Sequence, residues 1–255
     1  MFLKQENFNS TMDYHALIHR LRAMGPAEIA RRALLRCQDS WRWKLVESEA
    51  SRVARASHLD LLTGRPLFFE ENLADQAQLP PCQELIDSAR EIAAGKIPLF
   101  GRVVELRPRV DWLDDPFGSG SAAGRKRLPA WSESYDRVGV DVRSIWELNR
   151  LQFVTVLARA WQLTGEDEFA RAAARHLLSW QEANPYGRTV NWTNALEAAI
   201  RSLSILTVLN CLRRAKVCQH GEFRAEMSRL LFLHGEYVAG HLSSPSSGFN
   251  HLAGE

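Results

Sequence analysis

Side chains able to recognise or transform a ligand concentrate in three runs of the sequence. The first is Asp141-Val142-Arg143-Ser144-Ile145-Trp146-Glu147-Leu148-Asn149-Arg150. The second begins at Asn184-Pro185-Tyr186-Gly187 and continues as Asn191-Trp192-Thr193-Asn194-Ala195-Leu196-Glu197, with Arg201 one turn further on. The third, Ser243 to Glu255, is rich in Ser and Gly and contains Asn250-His251. Amides, indoles and guanidinium groups in one place suit a sugar polymer, whose rings stack on aromatics while its hydroxyls and carboxylates need donors. Each group also has a plainer use. Glu147 and Arg150 stand at i, i+3 and can pair along a helix. Asn194 and Glu197 have capping-box spacing. Asn250 suits an N-cap and a lone His251 a structural role. Trp112, Trp131, Trp146 and Trp192 all suit a core.

Composition narrows the field from the other side. The chain has 255 residues, 45% of them hydrophobic, enough for one large domain or two small ones. Its 32 basic and 30 acidic side chains leave a net charge of +2, so no global field demands nucleic acid or an anionic membrane as partner. Arg outnumbers Lys 27 to 5, which supplies forked donors for carboxylate or sulfate and equally reflects codon usage. Cys37, Cys82, Cys211 and Cys218 form neither a zinc pattern nor a disulfide framework, so free thiols are expected, with no metal and no cofactor. No run of about 18 apolar residues marks a membrane span. Met1 to His15 lacks the basic start and apolar run of a signal peptide, making the cytoplasm the default compartment.

Those three runs must be held by something, and the patterns around them are helical. Residues 13 to 50 carry two apolar-periodic stretches broken at Gly25-Pro26. Periodicity fades from Ser57 to Pro81, a short helix is expected around Gln83 to Ala94, and Ile97 to Trp112 reads as short extended segments. Asp114 to Ala130 reads as a long loop. Four long helices follow, at about Ser144–Leu163, Glu168–Ala183, Asn194–Arg213 and Glu222–His241. The first and third are apolar almost all round. The second and fourth carry one-sided stripes, Phe169, Ala172, Ala173, His176, Leu177, Trp180 and Phe223, Met227, Leu230, Leu231, His234, Tyr237, Val238. Such alternation is what inner helices wrapped by outer ones require. The expected fold is all-α: an incomplete (α/α) toroid of antiparallel helical hairpins over 76–255, preceded by a helical, loop-rich extension and linker over 1–75. The polar runs each precede an inner helix, so they gather at one mouth of the ring.

From about Leu21 to Glu255 the chain resembles the N-terminal helical domain of heparinase II/III-like and alginate lyases. The resemblance is carried by Leu21-Arg22-Ala23-Met24-Gly25-Pro26-Ala27-Glu28-Ile29, Asp111-Trp112-Leu113-Asp114-Asp115-Pro116 and Trp146-Glu147-Leu148-Asn149-Arg150. It continues through Leu163-Thr164-Gly165-Glu166, Asn184-Pro185, Asn191-Trp192 with Glu197 and Arg201, and Asn250-His251-Leu252 with Glu255. Ser121 to Arg127 departs from the Gly-x-x-Trp-Pro continuation after the Asp-Pro loop. The resemblance implies β-elimination on an anionic polysaccharide: a base takes the C5 proton of a uronic acid, the bond from C4 to the glycosidic oxygen breaks, and fixed donors neutralise the neighbouring carboxylate. It assigns the neutralising role to Asn250 and His251, and substrate binding to Trp146, Glu147, Asn149, Arg150, Asn191, Trp192, Glu197 and Arg201. It places the catalytic Tyr some fifty-odd residues beyond the matched Asn250-His251, and a β-rich domain later still, so the chain is expected to be an inactive N-terminal fragment. A periplasmic or secreted location becomes the alternative to the cytoplasm. Two rival classes stay open: a non-catalytic helical carbohydrate-binding or scaffold protein, and a glycoside hydrolase on an (α/α) barrel using Glu147 and Glu197.

In a protein of this architecture that turns over uronate polymer, Asn250→Ala is expected to cut the rate constant on the order of a hundredfold or more while weakening binding far less, because the donor's contribution grows as charge develops. Ultraviolet absorbance of the unsaturated product measures this. An unaltered rate in the variant would remove Asn250 from the chemistry.

Overall fold

A computed structural model describes residues 42–56, 83–106, 110–118 and 142–242. Several expectations lie outside the described residues: the helices before residue 42, the 57–81 connection, Cys37, Cys82 and Trp131, the end of the loop after Gly118, and Asn250-His251. The chain divides into two compact units, Met1–Leu45 and Val46–Glu255. Residues 42–56 are helical (α1), and every element named below lies in the second unit.

Helix α2 (Gln83–Ala93) is amphipathic and buries Ile86, Ala89 and Ile92 at helical spacing. It stops at Gly95, whose φ of +90° strains any side chain and where an added Cβ would come within 3.0 Å of the Leu106 carbonyl oxygen. Strands β1 (Lys96–Leu99) and β2 (Arg102–Glu105) then pair antiparallel, Lys96 opposite Glu105 and Leu99 opposite Arg102. Ile97 and Leu99 face inward and Lys96 and Pro98 outward, the period-2 alternation of a one-sided hairpin. Asp111 to Gly118 winds through tight turns: the Asp111 carboxylate accepts from the Leu113 amide and that of Asp115 from the Phe117 amide.

The second half is helical, as its periodicity requires. The elements are α3 (Val142–Asn149), α4 (Gln152–Thr164), α5 (Asp167–Ala183), a 3₁₀ turn (Val190–Trp192), α6 (Ala195–Leu212), α7 (Lys216–Gln219) and α8 (Gly221–Gly240). Helix α4 packs on α5, α6 and α2, and α6 packs on α4 and α8, so the two nearly all-apolar helices are neighbours and each also packs on a one-sided helix. Ala195–Leu212 is long and apolar enough to cross a bilayer, but most of it is buried within the protein, Glu197 and Arg201 included, so it is a core helix.

One boundary differs from the sequence reading. The helix expected over Ser144–Leu163 is two helices, interrupted at Leu151, which adopts φ +59°. A non-glycine residue there costs about 1–2 kcal/mol. Burial of Leu151 (0% exposed) offsets that cost, as does the use of the Asn149 side chain described below. Hydrophobic periodicity runs through the break because the breaking residue is itself apolar and interior.

Helix α4 ends at Gly165, at φ +72°, with its amide donating to the Trp161 carbonyl. Space around it is open, so Gly165→Ala is expected to cost only the backbone term, about 1 kcal/mol. Gly165→Asn should cost less. Urea unfolding of the two variants tests this; a larger loss for Asn than for Ala would contradict it.

Candidate functional site

At the centre of the second unit stands Asn149, fully buried on the last turn of α3. Its amide nitrogen donates to the carbonyls of Trp112 (2.9 Å) and Ile145 (2.7 Å). Its oxygen accepts from the Trp180 indole (2.7 Å) and the Asn191 amide (2.8 Å). Every capacity of that side chain is used, which is what burial demands. Asn191, in the 3₁₀ turn, also donates to the Asn184 side-chain oxygen (2.8 Å), which in turn accepts from Thr189 (2.8 Å). Three connections separated in sequence, at 112, 149 and 184–191, are thereby stapled together.

Beneath them lies Arg201, one turn into α6 and 0% exposed. Its guanidinium donates to the carbonyls of Asn191 (2.9 Å) and Asn149 (3.4 Å) and to Nε2 of His234 (2.8 Å). It lies 4.3 Å over the Trp180 ring and 5.5 Å from that of Trp192. Burial lowers its pKa to about 9, partly opposed by the charges of Glu197 and Tyr237, so it remains a cation at neutral pH. Because Nε2 of His234 accepts from Arg201, the proton of that neutral imidazole sits on Nδ1, facing the Leu230 carbonyl at 2.8 Å. Tyr237 donates its hydroxyl to the Trp192 carbonyl.

Glu197 does not complete a capping box. Asn194 caps α6 by accepting from the Leu196 amide (2.9 Å), while Glu197 accepts from Nε and Nη2 of Arg150 at 2.8 and 2.9 Å. Arg150 also donates to Glu147 at 2.6 Å, the expected i, i+3 pair. Its hydrogen bonds to Glu197, against an opposing desolvation, raise its pKa further.

The ten residues marked by the sequence thus fall into groups. Asn149, Asn191, Trp192, Glu197 and Arg201 are interior, at most 5% exposed. Their polar atoms engage one another, backbone groups, and Trp180, Asn184, His234 and Arg150, except the Asn191 oxygen, which is buried without a hydrogen-bond partner among the described residues. Trp146, Glu147 and Arg150 are half-buried and reach solvent beside them, Trp146 donating to the Val190 carbonyl (3.2 Å). Asn250 and His251 lie outside the described residues. Glu147 and Glu197 share one guanidinium and Glu197 points inward, so they do not form the two-sided carboxylate pair a glycoside hydrolase needs. Trp112, Trp180, Asn184, His234 and Tyr237 were not marked as site residues. His234 carried a signal, a titratable group within an apolar stripe. A separate cleft of about 700 Å³ lies between the end of α2, Leu106, Val110 and α5, with Arg175, His176 and Ser179 in its wall and none of the ten residues. No group of His, Cys, Asp and Glu able to hold a metal occurs among the described residues, and Cys211 and Cys218 are buried and not disulfide-bonded.

Residues 109–248 match the family model described as Heparinase II/III N-terminus. The chain belongs to that family. No curated protein and no solved structure matches it. The matched segment contains the whole Asn149–Asn191–Arg201 network and the Trp146–Arg150 edge, so in this heparinase II/III N-terminal domain the polar runs correspond to one connected, mostly buried structure.

The histidines of the domain make its stability sensitive to acid. Burial holds His234 well below 6.5, helped by the Arg201 charge, and burial takes His176 down to about 4, helped by Arg175. Their neutral forms are the folded ones. Stability is therefore complete above about pH 6.5 and falls as the unfolded chain takes up protons that the folded one refuses, by up to about 1.4 kcal/mol per pH unit for each histidine. Equilibrium unfolding from pH 7.5 to 4.5 should show that decline, and His234→Gln should flatten it. An equal slope in the variant would take His234 out of the linkage.

Proposed function

We propose that this domain holds an anionic, uronate-containing polysaccharide for β-elimination. The observation that carries the proposal is the half-exposed row Trp146–Glu147–Arg150, built directly on the buried network of a heparinase II/III N-terminal domain. Trp146 offers an indole face to a sugar ring. Arg150 spends three of its N–H groups on Glu147 and Glu197 and keeps two for ligand oxygens, while Glu147 accepts from sugar hydroxyls. Asn149, Asn191, Trp192, Glu197 and Arg201 are positioning residues that orient this row. Asn250 and His251 neutralise the uronate carboxylate, so that when a base removes the C5 proton the charge passes into the carboxylate. The electrons then form the C4–C5 double bond as the C4–oxygen bond breaks, and the departing oxygen receives a proton.

Calorimetric titration of the 255-residue chain tests the binding half of the reading. Affinity for acidic oligosaccharides is expected to exceed that for neutral glucans and to fall as salt rises, since partly exposed charge is screened. Trp146→Ala should weaken it severalfold without unfolding the domain. Equal affinity for neutral glucans would remove the basis of the reading.

A further inference from the structure

The tip of the β-hairpin is built in a way that folding alone does not require. Leu99 and Arg102 are register partners, so Phe100 and Gly101 form a two-residue turn, with φ of +48° and +71°. Positive φ at both positions selects Asn, Asp or Gly. Gly101 obeys the rule and Phe100 breaks it. An aromatic residue in the left-handed region costs about 1–2 kcal/mol, and that cost is not recovered by burial, because Phe100 is 61% exposed. Its ring lies 6.3 Å from that of Phe117, tilted by 40°, and the Arg102 guanidinium sits 4.9 Å from the Phe117 ring centre. Arg102 has no carboxylate partner among the described residues. In the loop that carries Phe117, the Asp111 and Asp115 carboxylates accept from the Leu113 and Phe117 amides. The tip therefore presents an exposed aromatic face beside a cation that rests on the Phe117 ring and has no ion-pair partner among the described residues.

The tip is also linked to the Trp146–Arg150 edge through the 110–118 loop. Phe117 belongs to the loop whose Trp112 carbonyl is held by Asn149 and Asn191, and whose Leu113 packs on Ile145 and Val190 beside Trp146. We infer that Phe100, Phe117 and Arg102 form a second carbohydrate subsite, taking one acidic sugar residue of the same polymer. The apolar C–H face of the sugar lies on Phe100 and its carboxylate or sulfate meets Arg102. This rests on the domain binding acidic polysaccharide, as proposed above.

Phe100→Asn separates ligand binding from folding, since Asn suits the turn but cannot stack. The probes are a heparin hexasaccharide and a mannuronate hexamer, with cellohexaose as the neutral control, titrated against the 255-residue chain. Phe100→Asn is expected to leave the thermal midpoint unchanged or raise it, and to weaken both acidic probes about three- to tenfold, the range of one aromatic stacking contact. Arg102→Gln should weaken the acidic probes and leave cellohexaose unchanged. Unaltered affinity in Phe100→Asn, with the parent chain still preferring acidic probes, would overturn the subsite and leave the proposed function standing. A lowered midpoint would show that the ring props the fold, and would overturn it as well. A parent chain with no preference for the acidic probes would overturn both.

Discussion

The buried guanidinium of Arg201 is the constraint around which the rest of the second unit is arranged. Removing such a cation from water costs several kcal/mol even after relaxation, and no carboxylate among the described residues forms an ion pair with it. The compensation comes from two backbone carbonyls, the unprotonated nitrogen of His234 and the faces of Trp180 and Trp192. Charge-assisted hydrogen bonds contribute about 1.5–3 kcal/mol each and a desolvated cation–π contact about 2. Together they can offset the burial only if all are made at once. The carbonyls of Asn149 and Asn191 must therefore face the same point, which aligns the end of α3 with the 3₁₀ turn before α6, and His234 must present a bare Nε2, which sets α8 against both.

That arrangement explains how one cluster of polar residues divides into a buried layer and a layer that reaches solvent. Asn149 and Asn191 spend their amides on one another and on the Trp112 carbonyl, so the loop from 110 to 118 cannot drift relative to the helices. Of the residues in this cluster that the sequence marked, Trp146, Glu147 and Arg150 reach the surface, while the Asn191 oxygen stays buried without a hydrogen-bond partner among the described residues. Glu197 links the two layers, buried itself yet gripping the half-exposed Arg150 by two hydrogen bonds. A ligand meeting Arg150 is meeting a guanidinium whose plane is already set, which lowers the ordering cost of binding.

Among the described residues, two that are not glycine, Phe100 and Leu151, occupy left-handed backbone conformations, and they contrast instructively. Leu151 is fully buried, so its strain is offset by packing and serves to re-aim α3. Phe100 is mostly exposed and has no such return within the fold. The same local geometry thus belongs to the core in one case and to the surface in the other, a difference that only burial reveals.

Periodicity along the chain was sufficient for the helices of the second half, the short extended segments and the Glu147–Arg150 pair, because each depends on neighbours within about one or two turns. The N-cap at Asn194 was legible for the same reason. The boundary at Leu151 was not, since a leucine continues an apolar pattern whatever its φ. Nor was the partner of Glu197: its spacing from Asn194 fits a cap, while Arg150, 47 residues away, binds it more strongly through charge. The sequence also identified Asn149, Asn191, Trp192 and Arg201 by chemical type, and amide, indole and guanidinium groups recognise a sugar and satisfy a core with the same donors. Burial decided between those uses for their side chains. Burial is a property of contacts among residues 112, 149, 180, 191, 201 and 234, brought together only when the helices pack.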